Sequence, residues 1–141
     1  MHIFVFGSNQ AGIHGKGDAL IARQRHGAIL GQGEGLQGAS YGIPTKDRYI
    51  RSLPLEKIRP GVERFLAFAH AHPEMVFDVQ RVGCRNAGYT PPDIAPMFAG
   101  APENCFFHED FRTVLRAMGA RFNDAPLPVE AHVSSDQGAL F

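Results

Sequence analysis

The sequence predicts an α/β fold built as one domain, and three observations carry that prediction. Strand-like apolar runs alternate with helix-period stripes along the chain. Twice a strand runs through a glycine turn straight into a helix start, once across residues 5–22 and again across 82–93. At 141 residues, with 44% hydrophobic and 20% charged side chains, the chain can bury one core without disulfide or metal staples.

His2 to Phe6 is a β-branched and aromatic run bounded by Gly7, which reads as a buried strand. A helix follows from Gly17 to Arg25, with Ala19, Leu20 and Ala22 as packing positions and Gly27 as its stop. Asp18 complements the dipole in its first turn. Strand, glycine loop and helix N-terminus together gather unpaired N–H groups at one spot, which suits a phosphate-bearing ligand. A tight turn with close helix–sheet packing accounts for the same glycines. The loop lacks the Gly-Lys-Ser/Thr ending of a P-loop and the spacing of a dinucleotide fingerprint.

Ten of the 16 glycines fall within the first 42 residues, so this third of the chain is made of turns and close approaches. Residues 31–38 carry glycine at nearly every second position and read as a loop or an extended flap, either a surface loop or a ligand cover. A second strand spans Ser40 to Thr45 and is expected to end near Pro44. Lys46 and Asp47 then stand just past a strand's carboxyl end, where ligands gather in open α/β sheets. A merely solvated lysine fits that position as well.

The clearest helix covers residues 53–72, where Leu55, Ile58, Val62, Phe65, Leu66 and Ala69 form one stripe. Pro60 places its regular part from about Arg59, after one looser turn, and Pro73 ends it. Met75 to Val82 reads as the third strand and runs into the second glycine loop. Thr90, Pro91 and Asp93 then spell a capping box with proline at the first helical position. Asn104 to Phe107 is a fourth strand, and Glu109 to Met118 a helix with Phe111, Val114 and Leu115 inward, stopped by Gly119. Residues 123–141 lack periodicity and read as a tail, either disordered or docked through Leu140 and Phe141. Crossover connections between the strands would put both glycine loops on the same edge of the sheet.

Lys+Arg 14 against Asp+Glu 14 leaves no basic field for nonspecific nucleic-acid binding. Cys84 and Cys105 form no CxxC pair and are expected as reduced thiols in a cytosol. No signal-peptide pattern and no membrane-length apolar window is present, so the expectation is a soluble, cytoplasmic protein without a membrane partner. His2, His14, His26 and His108 lack metal-ligand spacing and read as solvated or loop histidines. No metal and no cofactor is expected.

Three places carry a family resemblance. They are Asn9 with Gly15, Lys16 and Gly17; Ile43 to Lys46; and Val82, Gly83, Cys84, Arg85 and Asn86 followed by Ala87, Gly88 and Tyr89. On these, over roughly residues 2–107, the chain resembles the macrodomain family, which binds ADP-ribose. It is most similar to the short divergent branch that includes terminal ADP-ribose protein glycohydrolases and the bacterial antitoxins that remove ADP-ribose from DNA. It also resembles uncharacterised macro-like proteins of bacteria and phages. The resemblance implies a compact three-layer α/β/α sandwich, short at its N-terminus, over residues 1–122.

The resemblance also implies roles. The first loop, with Gly7, Ser8 and Asn9 at its start, would place Asn9 on the distal ribose. Residues 15–17 and 83–88 would cradle the pyrophosphate through backbone N–H groups, with Thr45 and Tyr89 bordering the ligand. Lys46 would attack the anomeric carbon of the distal ribose, which needs a lysine of lowered pKa and a partnering carboxylate. The chain departs from the pattern at Ala87, which stands where the lysine-dependent enzyme has a catalytic aspartate. Arg85 and Asn86 replace the usual Gly-Leu, and Arg85 is suited to pair with a phosphate. With Asp93 used as a cap, Asp47 or Glu34 is left as the carboxylate. The strand and acidic residue that usually bind adenine are absent, so adenine falls to Gln32, Gln37, Tyr41 or Tyr89, or is not recognised. Cys84 precedes a helix N-terminus, where a thiol pKa can fall, but the resemblance makes it a buried packing residue.

Three functions remain open at this point. One is a hydrolase that acts through Lys46 on an ADP-ribose linkage to protein, nucleic acid or a small nucleotide. The second is a non-catalytic module that reads or sequesters an ADP-ribose-like nucleotide, in a defence or counter-defence role. The third is a structural domain that has lost its ligand. For the first two, the partner is an ADP-ribose-like small molecule or an ADP-ribosylated macromolecule.

Overall fold

The computed structural model describes residues 2–129. One mixed five-stranded sheet is assembled from β1 (His2–Asn9), β2 (Gly35–Gln37), β3 (Ser40–Lys46), β4 (Val76–Val79) and β5 (Cys105–Phe107). Their spatial order is β2-β3-β1-β4-β5, parallel throughout except for β2, which runs antiparallel to β3. Helices α1 (Gly17–Arg25), α2 (Leu55–Ala71), α3 (Pro91–Ile94) and α4 (Glu109–Ala117) complete an α/β fold, with a 3₁₀ turn over Ala95–Phe98 after α3.

Alternation along β1 divides the core between the sheet's two faces. Ile3 and Val5 join the large cluster that α2, the 3₁₀ turn and α4 build around Phe65, Phe77, Phe98, Phe111 and Leu115. Phe4 and Phe6 join a smaller cluster with Ala19 and Ala22 of α1 and with Ala28. Phe65 anchors the larger side, edge-to-face with Tyr41 at 5.1 Å and with Phe77 at 5.2 Å. The stripe expected on α2 is the one that is buried, with Ile58, Val62, Phe65 and Ala69 fully enclosed.

Several expected boundaries shift. β1 does not end at Gly7 but continues to Asn9, because Gly7 and Ser8 keep pairing with Ile43 and Pro44. β3 likewise passes through Pro44 to Lys46. β2 covers only Ser40–Gly42, so on that side of β3 no strand stands beside Pro44 to need its missing N–H. α2 is regular from Leu55 and includes Pro60. The carbonyl freed by Pro60 belongs to Glu56 on the exposed face, where water can satisfy it. β4 is four residues long rather than eight.

The glycine-rich segment is neither a disordered surface loop nor a cover for the cleft described below. Residues 35–37 add an edge strand, and Gln37 is buried with its Oε1 accepting from the Ile29 amide. Residues 31–34 press against the back of the first loop. The Gly31 N–H donates to the Gly12 carbonyl at 2.9 Å, and Ser8 Oγ donates to the Gly33 carbonyl. A Cβ on Gly33 would lie 2.2 Å from the Asn9 carbonyl oxygen, so only glycine fits that contact.

His14 is fully buried in the same packing rather than solvated. Its Nε2 donates toward the carbonyls of Ile29 and Gln32, each at 3.0 Å, while its ring meets Phe6 edge-on. The capping box at Thr90 and Asp93 forms as expected. Past residue 122, the Asn123 amide donates to the Glu103 carbonyl and Asp124 pairs with Arg116. The expected docking through Leu140 and Phe141 lies outside the described residues. No described helix is long and apolar enough to cross a membrane.

Candidate functional site

β1 pairs with β3 on one side and β4 on the other, all three parallel, so the loops that follow them emerge at one edge. The chain leaves β1 toward β3 and later returns across it to β4. That reversal makes the β1/β4 crevice a topological switch point, the usual ligand position in open α/β sheets. A Cβ on Gly7 would lie 3.3 Å from the Gly83 amide nitrogen, which measures how closely the second glycine loop approaches β1.

An open cleft occupies this edge in two adjoining lobes. The larger, about 140 Å³, is lined by Gly7, Asn9, Ile13, Gly15, Lys16, Ala19, Thr45, Lys46, Ile50 and Asn86. The smaller, about 30 Å³, is lined by Asp18, Arg81, Gly83, Arg85 and Ala87, and shares Gly7, Thr45 and Asn86 with its neighbour. The two glycine loops and the end of β3 therefore meet, as the sequence led one to expect.

Thr45 lies at the centre for a geometric reason. The register slips between Ser8 and Asn9, which pair with Pro44 and Lys46, so Thr45 is the extra residue of a β-bulge. Bulges of this kind re-aim side chains. Thr45 faces both lobes while its Oγ1 donates to the Ser8 carbonyl at 3.3 Å.

α1 starts at the cleft without a side-chain cap, since Lys16 at its N-cap makes no capping bond. Its first-turn amides are thus left for solvent or a ligand. Gly17 enters the helix at φ 58°, and a Cβ there would stand 2.7 Å from the Asn86 amide nitrogen. The Asn86 side chain of the second glycine loop thus lies over the start of α1. A hydrogen bond from Ser52 Oγ to the Ala87 carbonyl at 2.7 Å ties in the loop after β3.

The charges at the cleft are unevenly spoken for. Among the described residues, no hydrogen bond or ion pair engages the side chains of Lys16, Asp18, Lys46 or Arg85. Arg81 pairs with Asp110 at 3.1 Å. Each carboxylate that the sequence offered as a partner for Lys46 is committed elsewhere. Glu34 is held in a two-point pair by Arg64, and Asp93 by the cap. Asp47 accepts from the Tyr49 and Arg51 amides and from Arg51 Nε, and these bonds, the Arg51 amide first, hold its carboxyl below the usual carboxylate range.

Asp18 is the carboxylate that sequence reasoning missed. It was legible only as a dipole partner, because nothing in the chain order says that the first turn of α1 faces Arg81 and Arg85. Arg81, Ile13 and Ile50 were missed likewise. Ile50 alone carried a usable signal, since it closes a polar turn after Lys46 and Asp47.

Ile50 is the one described non-glycine residue with positive φ, at 63°. Its N–H donates to the Asp47 carbonyl at 3.1 Å and the Asp47 N–H to the Arg51 carbonyl at 2.8 Å, over a bridge between Lys46 and Ser52. Such a turn closes with a left-handed residue, a place glycine fills without strain. A β-branched side chain there costs roughly 1–3 kcal/mol.

Other expected site residues face elsewhere. Asn9 lines the larger lobe, but its amide is spent at both ends on Ile13, donating to the carbonyl at 2.7 Å and accepting from the N–H at 3.0 Å. Ser8 is buried against Gly33. Cys84 packs on the core, and burial, with Asp110 nearby, pushes its thiol up to about 11, so it is not an activated nucleophile. Tyr89 Oη donates to the Leu53 carbonyl, and neither it nor Gly88 lines the cleft. The four adenine candidates are also occupied. Tyr41 and Gln37 are buried, Tyr89 packs on the core, and Gln32 bonds the Glu34 and Leu36 carbonyls.

No family model, curated protein or solved structure matches this chain.

Proposed function

We propose that the cleft binds ADP-ribose or an ADP-ribosyl-type nucleotide through its phosphate and ribose. One observation carries this reading. The uncapped start of α1 and the unengaged side chains of Lys16, Lys46 and Arg85 converge at the carboxyl ends of β1, β3 and β4. Backbone amides, a guanidinium and ammonium groups are the donors that phosphate oxygens take. The lobes are smaller than the roughly 300–1,000 Å³ of a pocket that encloses its ligand, so the nucleotide lies along an open cleft. Titration calorimetry with ADP-ribose tests the reading, and an affinity that falls in Arg85→Ala supports it.

Hydrolysis of an ADP-ribose linkage is a second reading, favoured by Lys46 and Asp18 lining adjoining lobes with no partner of their own among the described residues. In this reading a bridging water carries a proton from Lys46 to the Asp18 carboxylate across the adjoining lobes. The freed amine displaces the linked group at the anomeric carbon, and Asp18 passes the proton to the departing group. Water then releases the ribose from Lys46. Ala87 takes no part. Turnover of ADP-ribosylated protein or DNA that persists in both Lys46→Ala and Asp18→Asn would exclude this chemistry while leaving the binding reading intact.

A further inference from the structure

The larger lobe is edged by two apolar side chains that phosphate and ribose recognition does not use. Ile13, in the loop after β1, is 51% exposed, and Ile50, in the loop after β3, is 41% exposed. Each lines the larger lobe, and neither lines the smaller one with Asp18, Arg81 and Arg85. Both are set by fixed backbone. The amide and carbonyl of Ile13 are clamped by the Asn9 side chain, and Ile50 is held left-handed by the Asp47 turn. A strained residue persists where its surroundings over-determine it, and such residues cluster at ligand clamps. The turn accepts glycine without strain, so the bulk of Ile50 contributes nothing to closing it.

We propose that Ile13 and Ile50 form the seat for the planar ring that the nucleotide carries on the anomeric carbon of its ribose. The inference rests on the nucleotide reading above and adds the residues that hold its ring. Two aliphatic side chains offer a flat ring dispersion and shelter from water without hydrogen-bond readout, so they discriminate ring from no ring more than one base from another. Such a seat also answers where the ring goes, since Gln32, Gln37, Tyr41 and Tyr89 are all occupied.

The test compares AMP with ribose 5-phosphate by calorimetry, on the wild type, Ile50→Gly and Ile13→Ala. In the wild type AMP binds about tenfold or more tightly than ribose 5-phosphate. Ile50→Gly and Ile13→Ala each narrow that gap several-fold and leave ribose 5-phosphate affinity unchanged. Equal affinity of the wild type for the two compounds overturns the ring seat alone, as does an equal loss for both compounds in the variants. Failure of AMP, ribose 5-phosphate and ADP-ribose alike to bind the folded wild type overturns both the seat and the phosphate reading. A melting temperature for each variant separates a lost seat from a lost fold.

Discussion

The side-chain amide nitrogen of Asn86 stands 2.7 Å from the point that a Cβ on Gly17 would occupy. Two loops 69 residues apart in the chain (86 − 17) are thereby set against each other at the mouth of the cleft. Gly88 supplies an internal control. It is also left-handed, at φ 86°, but a Cβ there would meet nothing within 4 Å.

Gly17→Ala and Gly88→Ala each pay the left-handed penalty of about 1–2 kcal/mol, and Gly17→Ala adds the collision with Asn86. Urea denaturation should therefore show Gly17→Ala as the more destabilised. Removing the obstacle in Gly17→Ala/Asn86→Ala should bring the loss back toward that of Gly88→Ala. Equal losses for the two single variants would show that the Asn86 side chain swings aside at no cost and does not hold the two loops together.

Arg85 and Arg81 face the same small lobe but differ in their other commitments. Arg85→Ala should weaken ADP-ribose binding by roughly ten- to a hundredfold with stability unchanged, since a charge-assisted bond contributes roughly 1.5–3 kcal/mol. Arg81→Ala should weaken binding too and also release Asp110, a partly exposed pair worth at most about 1 kcal/mol. Wild-type affinity should fall as salt rises, and less steeply in Arg85→Ala.

Ile50→Gly should be no less stable than the wild type, although it deletes a large side chain. Relief of roughly 1–3 kcal/mol of strain offsets the extra unfolded-state entropy of glycine, about 0.5–1 kcal/mol. Thermal unfolding checks this, and a clear loss of stability would mean that Ile50 packs rather than waits.

Acid should loosen the turn that holds Ile50. The Asp47 carboxyl is held below its ordinary value when folded, first by the Arg51 amide. A depressed carboxyl contributes stability that is present above its unfolded value and lost as pH falls through its folded one. Hydrogen-exchange protection of the Tyr49 and Arg51 amides should therefore persist at neutral pH and drop below the usual carboxylate range. In Asp47→Ala it should be low at both.

Much of this arrangement was legible in the chain because it is written in local chemistry. The stripe from Ile58 to Ala69, the capping box at Thr90 and the convergence of two glycine loops on parallel strand ends follow from periodicity and handedness. What was not legible depends on contacts between distant segments. Residues 31–38 turned out to buttress the first loop, because the glycines there admit backbones to close approach rather than a ligand. Pro44 and Pro60 read as boundaries in the chain, yet Pro44 lies where β2 no longer flanks β3 and Pro60 leaves only an exposed carbonyl free. Asp18, Arg81, Ile13 and Ile50 entered the cleft only once the loops were placed beside each other. Asn9 and Tyr89 were spent on holding that placement.

Calorimetric titration of the folded wild-type protein with ADP-ribose addresses the central claim most directly. Saturable heat at one site per chain, abolished or strongly weakened in Arg85→Ala and in Gly17→Ala, is the result the cleft predicts. Absence of any heat from a protein shown to be folded would contradict it.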